Sequence, residues 1–143
     1  MKLTNGLVAF EFDPETGSLI QITDLRPGAP PPVLSDPQEG RLFRLFIPDD
    51  EQWIDRYTDS HTSGRPQMRL DGDTLTIHYP DLLAADSAIP GNDVPTGIRA
   101  SVRVALPAGA DEALFTLELE ERISAGLSLP FSMKVLVMRG MGR

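Results

Sequence analysis

The 143-residue chain contains no cysteine, so it has no disulfide, thiolate metal site or thiol chemistry, and the redox state of its compartment leaves no mark on it. Histidine occurs only as His61 and His78. Two imidazoles without cysteine fall short of the donor set that zinc takes, and no metal or other cofactor is expected. Basic residues are scarce as well: 13 Lys and Arg stand against 21 Asp and Glu, for a net charge of -8. That balance repels a phosphate backbone and excludes nucleic acid as a partner. No long apolar run occurs, and the amino-terminal stretch meets an acid at Glu11, so neither a spanning helix nor a signal peptide is read and no membrane is expected. A cytoplasmic chain, or a fragment of a larger protein, is the expected setting. No Gly-rich phosphate loop and no Gly-x-Ser-x-Gly elbow is present.

What the chain does contain is a hydrophobic share of 41% with 12 glycines and 13 prolines, an ordinary globular composition broken by many turns. Leu7 to Phe12 spaces apolar side chains at nearly every second residue. Asp13-Pro14-Glu15-Thr16-Gly17 then turns the chain, and Leu19, Ile20 and Ile22 carry it back to Asp24 as a hairpin. Five prolines between residues 26 and 40 exclude a helix or a central strand there. Arg41 to Pro48 is apolar on nearly both faces, which predicts the best-buried, central strand. Asp49 to Gly64 keeps no clean period and reads as a loop with room for one helical turn. Asp71-Gly72-Asp73 joins Gln67 and Arg69 to Leu75, Ile77 and Tyr79 in a second hairpin. Ile98 to Leu106 alternates strictly, in Leu114 to Ile123 Phe115, Leu117 and Leu119 oppose Thr116, Glu118 and Glu120, and Phe131 to Met138 makes an eighth apolar segment. The expectation is a single all-β domain over residues 1–143, an antiparallel β-sandwich of about seven or eight strands with long loops near 25–40, 49–65 and 80–97.

Chemistry is sparse. His78 lies opposite Leu75, Ile77 and Tyr79 on its strand and faces solvent. His61, in a polar loop after Asp59 and Ser60, is the better placed of the two to serve as a general base. Asp71 and Asp73 read as turn residues, and Glu118, Glu120 and Glu121 as the exposed face of a strand. Asp49, Asp50, Glu51 and Asp55 flank Trp53 and Tyr57. Carboxylates beside aromatic rings suit a sugar, whose apolar face stacks while its hydroxyls seek acceptors. Trp53 and Tyr57 are therefore the candidate ligand-binding residues. Asp49, Asp50, Glu51, Asp55 and His61 are the candidates for catalysis, two carboxylates in a cleft being the demand of glycoside hydrolysis. Core-anchoring aromatics among solvated acids account for the same residues without any ligand.

The run from Asn5 to Asp24, with its Asp13-Pro14-Glu15-Thr16-Gly17 turn, and the later Arg41-Leu42-Phe43-Arg44-Leu45 segment resemble the galactose-mutarotase-like supersandwich domain found at the amino-terminus of multidomain glycoside hydrolases. The resemblance extends through Asp73 to Tyr79 and the two strands between Ile98 and Glu120, and fades after Glu120. It implies a carbohydrate-associated module without turnover of its own, since no catalytic residue of that family maps onto this chain. The rival expectations are a small hydrolase, glycosidic before ester in its bond, and a structural fragment with no ligand. The domain in that family is longer. The resemblance therefore also implies an unpartnered sheet edge, and self-association through the apolar carboxy-terminal segment Val135 to Met138 is expected to give a homodimer or larger oligomer.

Overall fold

A computed structural model describes residues 1–47, 56–84, 94–121, 132–133 and 137–139. Every described element is a β-strand, every pairing is antiparallel, and no helix occurs among the described residues.

The first sheet is a meander of β1 (Lys2–Thr4), β2 (Val8–Phe12), β3 (Leu19–Asp24) and β4 (Val33–Leu34), hydrogen-bonded in that order. Its central hairpin is the one the sequence predicts. Gly17 closes it at a φ of 74°, and Asp13 Oδ2 accepts from both the Thr16 amide (3.1 Å) and the Thr16 hydroxyl (2.7 Å). The Pro-rich segment is not wholly loop, because β4 pairs with β3 within it.

The second sheet is built on β7 (Gln67–Asp71), β8 (Thr74–Tyr79), β11 (Ile98–Ala105) and β12 (Glu112–Glu121). Gly72 turns β7 into β8 at a φ of 60°, in the hairpin expected of Asp-Gly. Strict alternation holds on β8 and β11: Leu75, Ile77, Tyr79, Ala100, Val102 and Val104 are buried. Beyond β12 lie β13 (Ser132–Met133) and β14 (Val137–Arg139), which both pair with β12 of the same chain.

The two sheets share one core. Phe10 and Phe12 of the first meet the Phe115 ring of the second at centroid distances of 6.3 and 6.4 Å, and Leu3, Val8 and Leu19 join Leu75, Ile77, Val104 and Leu117 in the same cluster. Asn5 ties them at one end. Its amide donates to the carbonyls of Pro107 (2.8 Å) and Ala110 (2.6 Å), while its oxygen accepts from the Leu7 and Val8 amides.

Two short ribbons complete the described chain: β9 (Leu83–Ala84) with β10 (Val94–Pro95), and β5 (Arg44–Ile47) with β6 (Arg56–Asp59). Both correct the sequence reading. The regions near 49–65 and 80–97 contain strand, and the Arg41 to Pro48 segment is not a central strand. Its strand β5 pairs only with β6 among the described residues, and Phe46 is 68% exposed. The apolar character on both faces has a different cause. Leu42, Phe43 and Leu45 pack down onto the core, Phe43 edge-on to Tyr79 at 5.4 Å, whereas Phe46 points outward. Counting the two-residue pieces there are fourteen strand segments among the described residues, and eight of them have four residues or more.

Candidate functional site

Cross-strand register places Arg44 opposite Asp59 and Phe46 opposite Tyr57. Paired residues of an antiparallel ribbon share a face. One face of β5–β6 therefore carries a cation, a carboxylate and two aromatic rings in two adjacent rungs. The Arg44 guanidinium lies 4.3 Å from the centroid of the Tyr57 ring, close enough for a cation–π contact. Phe46 stands beside this stack with most of its surface in water.

The face is held by Asp59, which is almost completely buried. Its Oδ2 accepts from Arg44 Nε (3.2 Å) and Nη2 (2.9 Å), and Arg41 Nε lies 3.1 Å from the same oxygen as an ion pair. The other oxygen, Oδ1, accepts from the His61 backbone amide at 2.8 Å. Every donor that a buried carboxylate needs is supplied. Among the described residues, two guanidinium groups on one carboxylate leave an excess positive charge here, in a chain that is acidic as a whole.

His61 sits on the inner side of this cluster. Its Nε2 is 2.7 Å from Ser18 Oγ, and Ser18 Oγ is also 2.6 Å from the Pro37 carbonyl and 2.8 Å from Thr16 Oγ1. A carbonyl only accepts, so the Ser18 proton goes to Pro37 and His61 Nε2 donates to Ser18; the tautomer follows from that network. The buried Nδ1 is then a bare acceptor and has no hydrogen-bond partner among the described residues. Burial, and after it the nearby Arg41, lowers the imidazole below its usual pKa, with Asp59 opposing and Arg44 adding to the fall. A nucleophile must pass its proton to the base. Ser18 passes its proton away from His61 and is fully buried, so this pair is a latch. It fastens the start of β3 to the Pro-rich segment and to the turn after β6.

Gly40 tightens the same junction: its carbonyl accepts from the Leu19 amide at 3.0 Å, and a side chain there would overlap the Leu19 carbonyl. Nearby, the Tyr79 hydroxyl occupies the space a side chain on Gly17 would fill. It is buried, Ser60 approaches it without meeting hydrogen-bond geometry, and burial raises its pKa.

Of the residues singled out in the sequence, Tyr57 and His61 lie at this site. Asp49, Asp50, Glu51, Trp53 and Asp55 lie outside the described residues. Sequence reasoning missed Arg41, Arg44, Phe46, Ser18 and Asp59. No period in the sequence marks β6, whose four residues Arg56, Tyr57, Thr58 and Asp59 include no aliphatic side chain. His78 faces outward as expected, with Nδ1 3.0 Å from Ser101 Oγ. Among the described residues no group of three or more His, Asp or Glu side chains is placed to hold a metal ion. No helix of the described residues is long and apolar enough to cross a membrane. No family model, curated protein or solved structure matches the chain.

Proposed function

We propose that the chain is a carbohydrate-associated binding module, a β-sandwich formed by its two larger sheets, that works without turnover of its own and presents sugar to the β5–β6 face. The observation that carries this reading is Phe46, a ring 68% exposed beside the Tyr57–Arg44 stack. A rigid aromatic surface offers the apolar face of a pyranose a large contact at little entropic cost, and the flanking guanidinium groups supply donors to its hydroxyls. The Ser18–His61 latch speaks against the hydrolase alternative, since its proton runs the wrong way for attack. Trp53 remains a proposed stacking residue on sequence grounds. Self-association through the carboxy-terminal segment also remains a proposal, and would add to or displace β13 and β14 on β12.

A glycan array probed with the wild-type chain and with Phe46→Ala tests the reading. The variant should lose roughly tenfold in apparent affinity, the equivalent of about 1.4 kcal/mol, with its melting temperature unchanged. An array without any carbohydrate signal, or one that survives Phe46→Ala and Trp53→Ala alike, refutes it.

A further inference from the structure

The outer face of the second sheet holds an open groove of about 550 Å³ whose lining includes Arg69, Asp71, Thr76, His78 and Arg103. Register explains why these side chains converge. Arg103 pairs with Thr76, and Thr76 with Arg69, so the three form one rung across β11, β8 and β7. The next rung sets Ser101 beside His78. Neighbouring strands are about 4.8 Å apart, which puts the two arginine backbones roughly 10 Å from one another. Arginine side chains are long enough to reach into that gap from either side and meet over the Thr76 position once they leave Glu118 and Asp71.

Among the described residues neither arginine is firmly committed elsewhere. Arg69 meets Asp71 only at 3.8 Å, with both side chains more than 80% exposed, and Arg103 meets Glu118 only at 3.9 Å. By contrast Arg26 and Asp24 close to 2.6 Å on the same molecule. Exposed pairs at such long distances contribute little, so an incoming anion can compete for these guanidinium groups. His78 adds a directed donor: with Ser101 holding Nδ1, a proton on Nε2 is free for the groove, and an anion selects that tautomer.

We propose that this groove binds a tetrahedral oxyanion, a phosphate or sulfate group, between Arg69 and Arg103 over Thr76 and His78. Planar guanidinium forks match such oxygens in pairs, and the hydroxyl and imidazole fill the remaining directions. The site lies on different strands from the β5–β6 face and does not depend on the carbohydrate reading.

Backbone amide shifts under titration with sodium phosphate and sodium sulfate, against sodium chloride at equal ionic strength, test the proposal. Glucose 6-phosphate and glucose form the second arm. Saturating shifts at Arg69, Thr76, His78 and Arg103 with the oxyanions are expected, weakened at least tenfold in the Arg69→Gln/Arg103→Gln variant. Stronger binding of glucose 6-phosphate than of inorganic phosphate assigns the site to esters, and equal binding assigns it to the free ion. Shifts that chloride reproduces overturn the proposal, as do equal shifts with glucose and glucose 6-phosphate. Should the double variant fail to fold, Thr76→Val serves in its place, and unchanged binding in it with shifts absent from Arg69 and Arg103 also overturns the site.

Discussion

Replacing Asp59 by asparagine keeps the shape of the residue and removes its charge, which isolates what the carboxylate does for the β5–β6 face. In the native arrangement its two oxygens accept from two Arg44 N–H groups and one backbone amide, and the charge also pairs with Arg41. An asparagine has a single acceptor oxygen. Turned toward the arginines, it sets its own amide against the His61 N–H; turned toward His61, it sets that amide against the guanidinium groups. One donor loses its partner either way, at a cost of about 1–3 kcal/mol. Breaking a fully buried ion pair costs about 3–5 kcal/mol. Both arginines are 39% exposed, so water recovers part of that loss and we expect roughly 2–3 kcal/mol in all. For a chain of this size that corresponds to a fall in Tm of about 4–12 °C. Thermal unfolding followed by far-ultraviolet circular dichroism reads it directly. Arg41→Gln is the control, because Arg44 still neutralises the carboxylate, and it should cost less than about 1 kcal/mol. If Asp59→Asn melts within about 1 °C of wild type, or no lower than Arg41→Gln, the carboxylate does not organise this face and the reasoning fails.

The lowered pKa of His61 gives stability a pH dependence of known sign. Below its ordinary value of 6.5 the unfolded chain binds a proton that the folded chain resists, so stability is lost as pH falls from about 7. In His61→Gln, urea unfolding between pH 7.5 and 5 should show a shallower slope than wild type, and equal slopes would assign the titration to another group. Asp13, held below its usual range chiefly by the Thr16 hydroxyl, loses its contribution in a separate window, under pH 4. Gly17→Ala should destabilise by more than the 1–2 kcal/mol typical of a left-handed backbone, since the new methyl group meets the Tyr79 hydroxyl. Part of that loss should return in a Tyr79→Phe background, and strictly additive effects would rule the contact out. Phe115→Ala, which removes the ring touching both Phe10 and Phe12, should cost about 3–5 kcal/mol, whereas Phe46→Ala should stay within about 0.5 kcal/mol. A large loss for Phe46→Ala would mean that its ring supports the fold.

Alternation made the second sheet readable from the sequence. On β8, β11 and β12 a period of two separates buried from exposed residues without exception near the centre, and a helix would have scattered the glutamates of β12. The same logic failed at Arg41 to Ile47. An apolar residue records that it is protected or useful, and Phe46 is apolar without being covered. β6 was hidden for the opposite reason. Its most deeply placed side chains are Thr58 and Asp59, and burial of a carboxylate is decided by arginines that lie elsewhere in the chain. Nothing in the sequence pattern singles out Ser18, and only the meeting of three segments shows that it joins them.

Asn5 and the Phe115 ring impose an order of events on the newborn chain. The hairpin of β2 and β3 can close as soon as it is made, but the groups that cover Phe10 and Phe12 and satisfy the Asn5 amide sit roughly a hundred residues downstream. At about 5–20 residues per second, a ribosome needs on the order of 5–20 s to deliver them. For that interval two phenylalanines of a half-finished sheet face water or a chaperone, and the first sheet waits on β12 before it has a core.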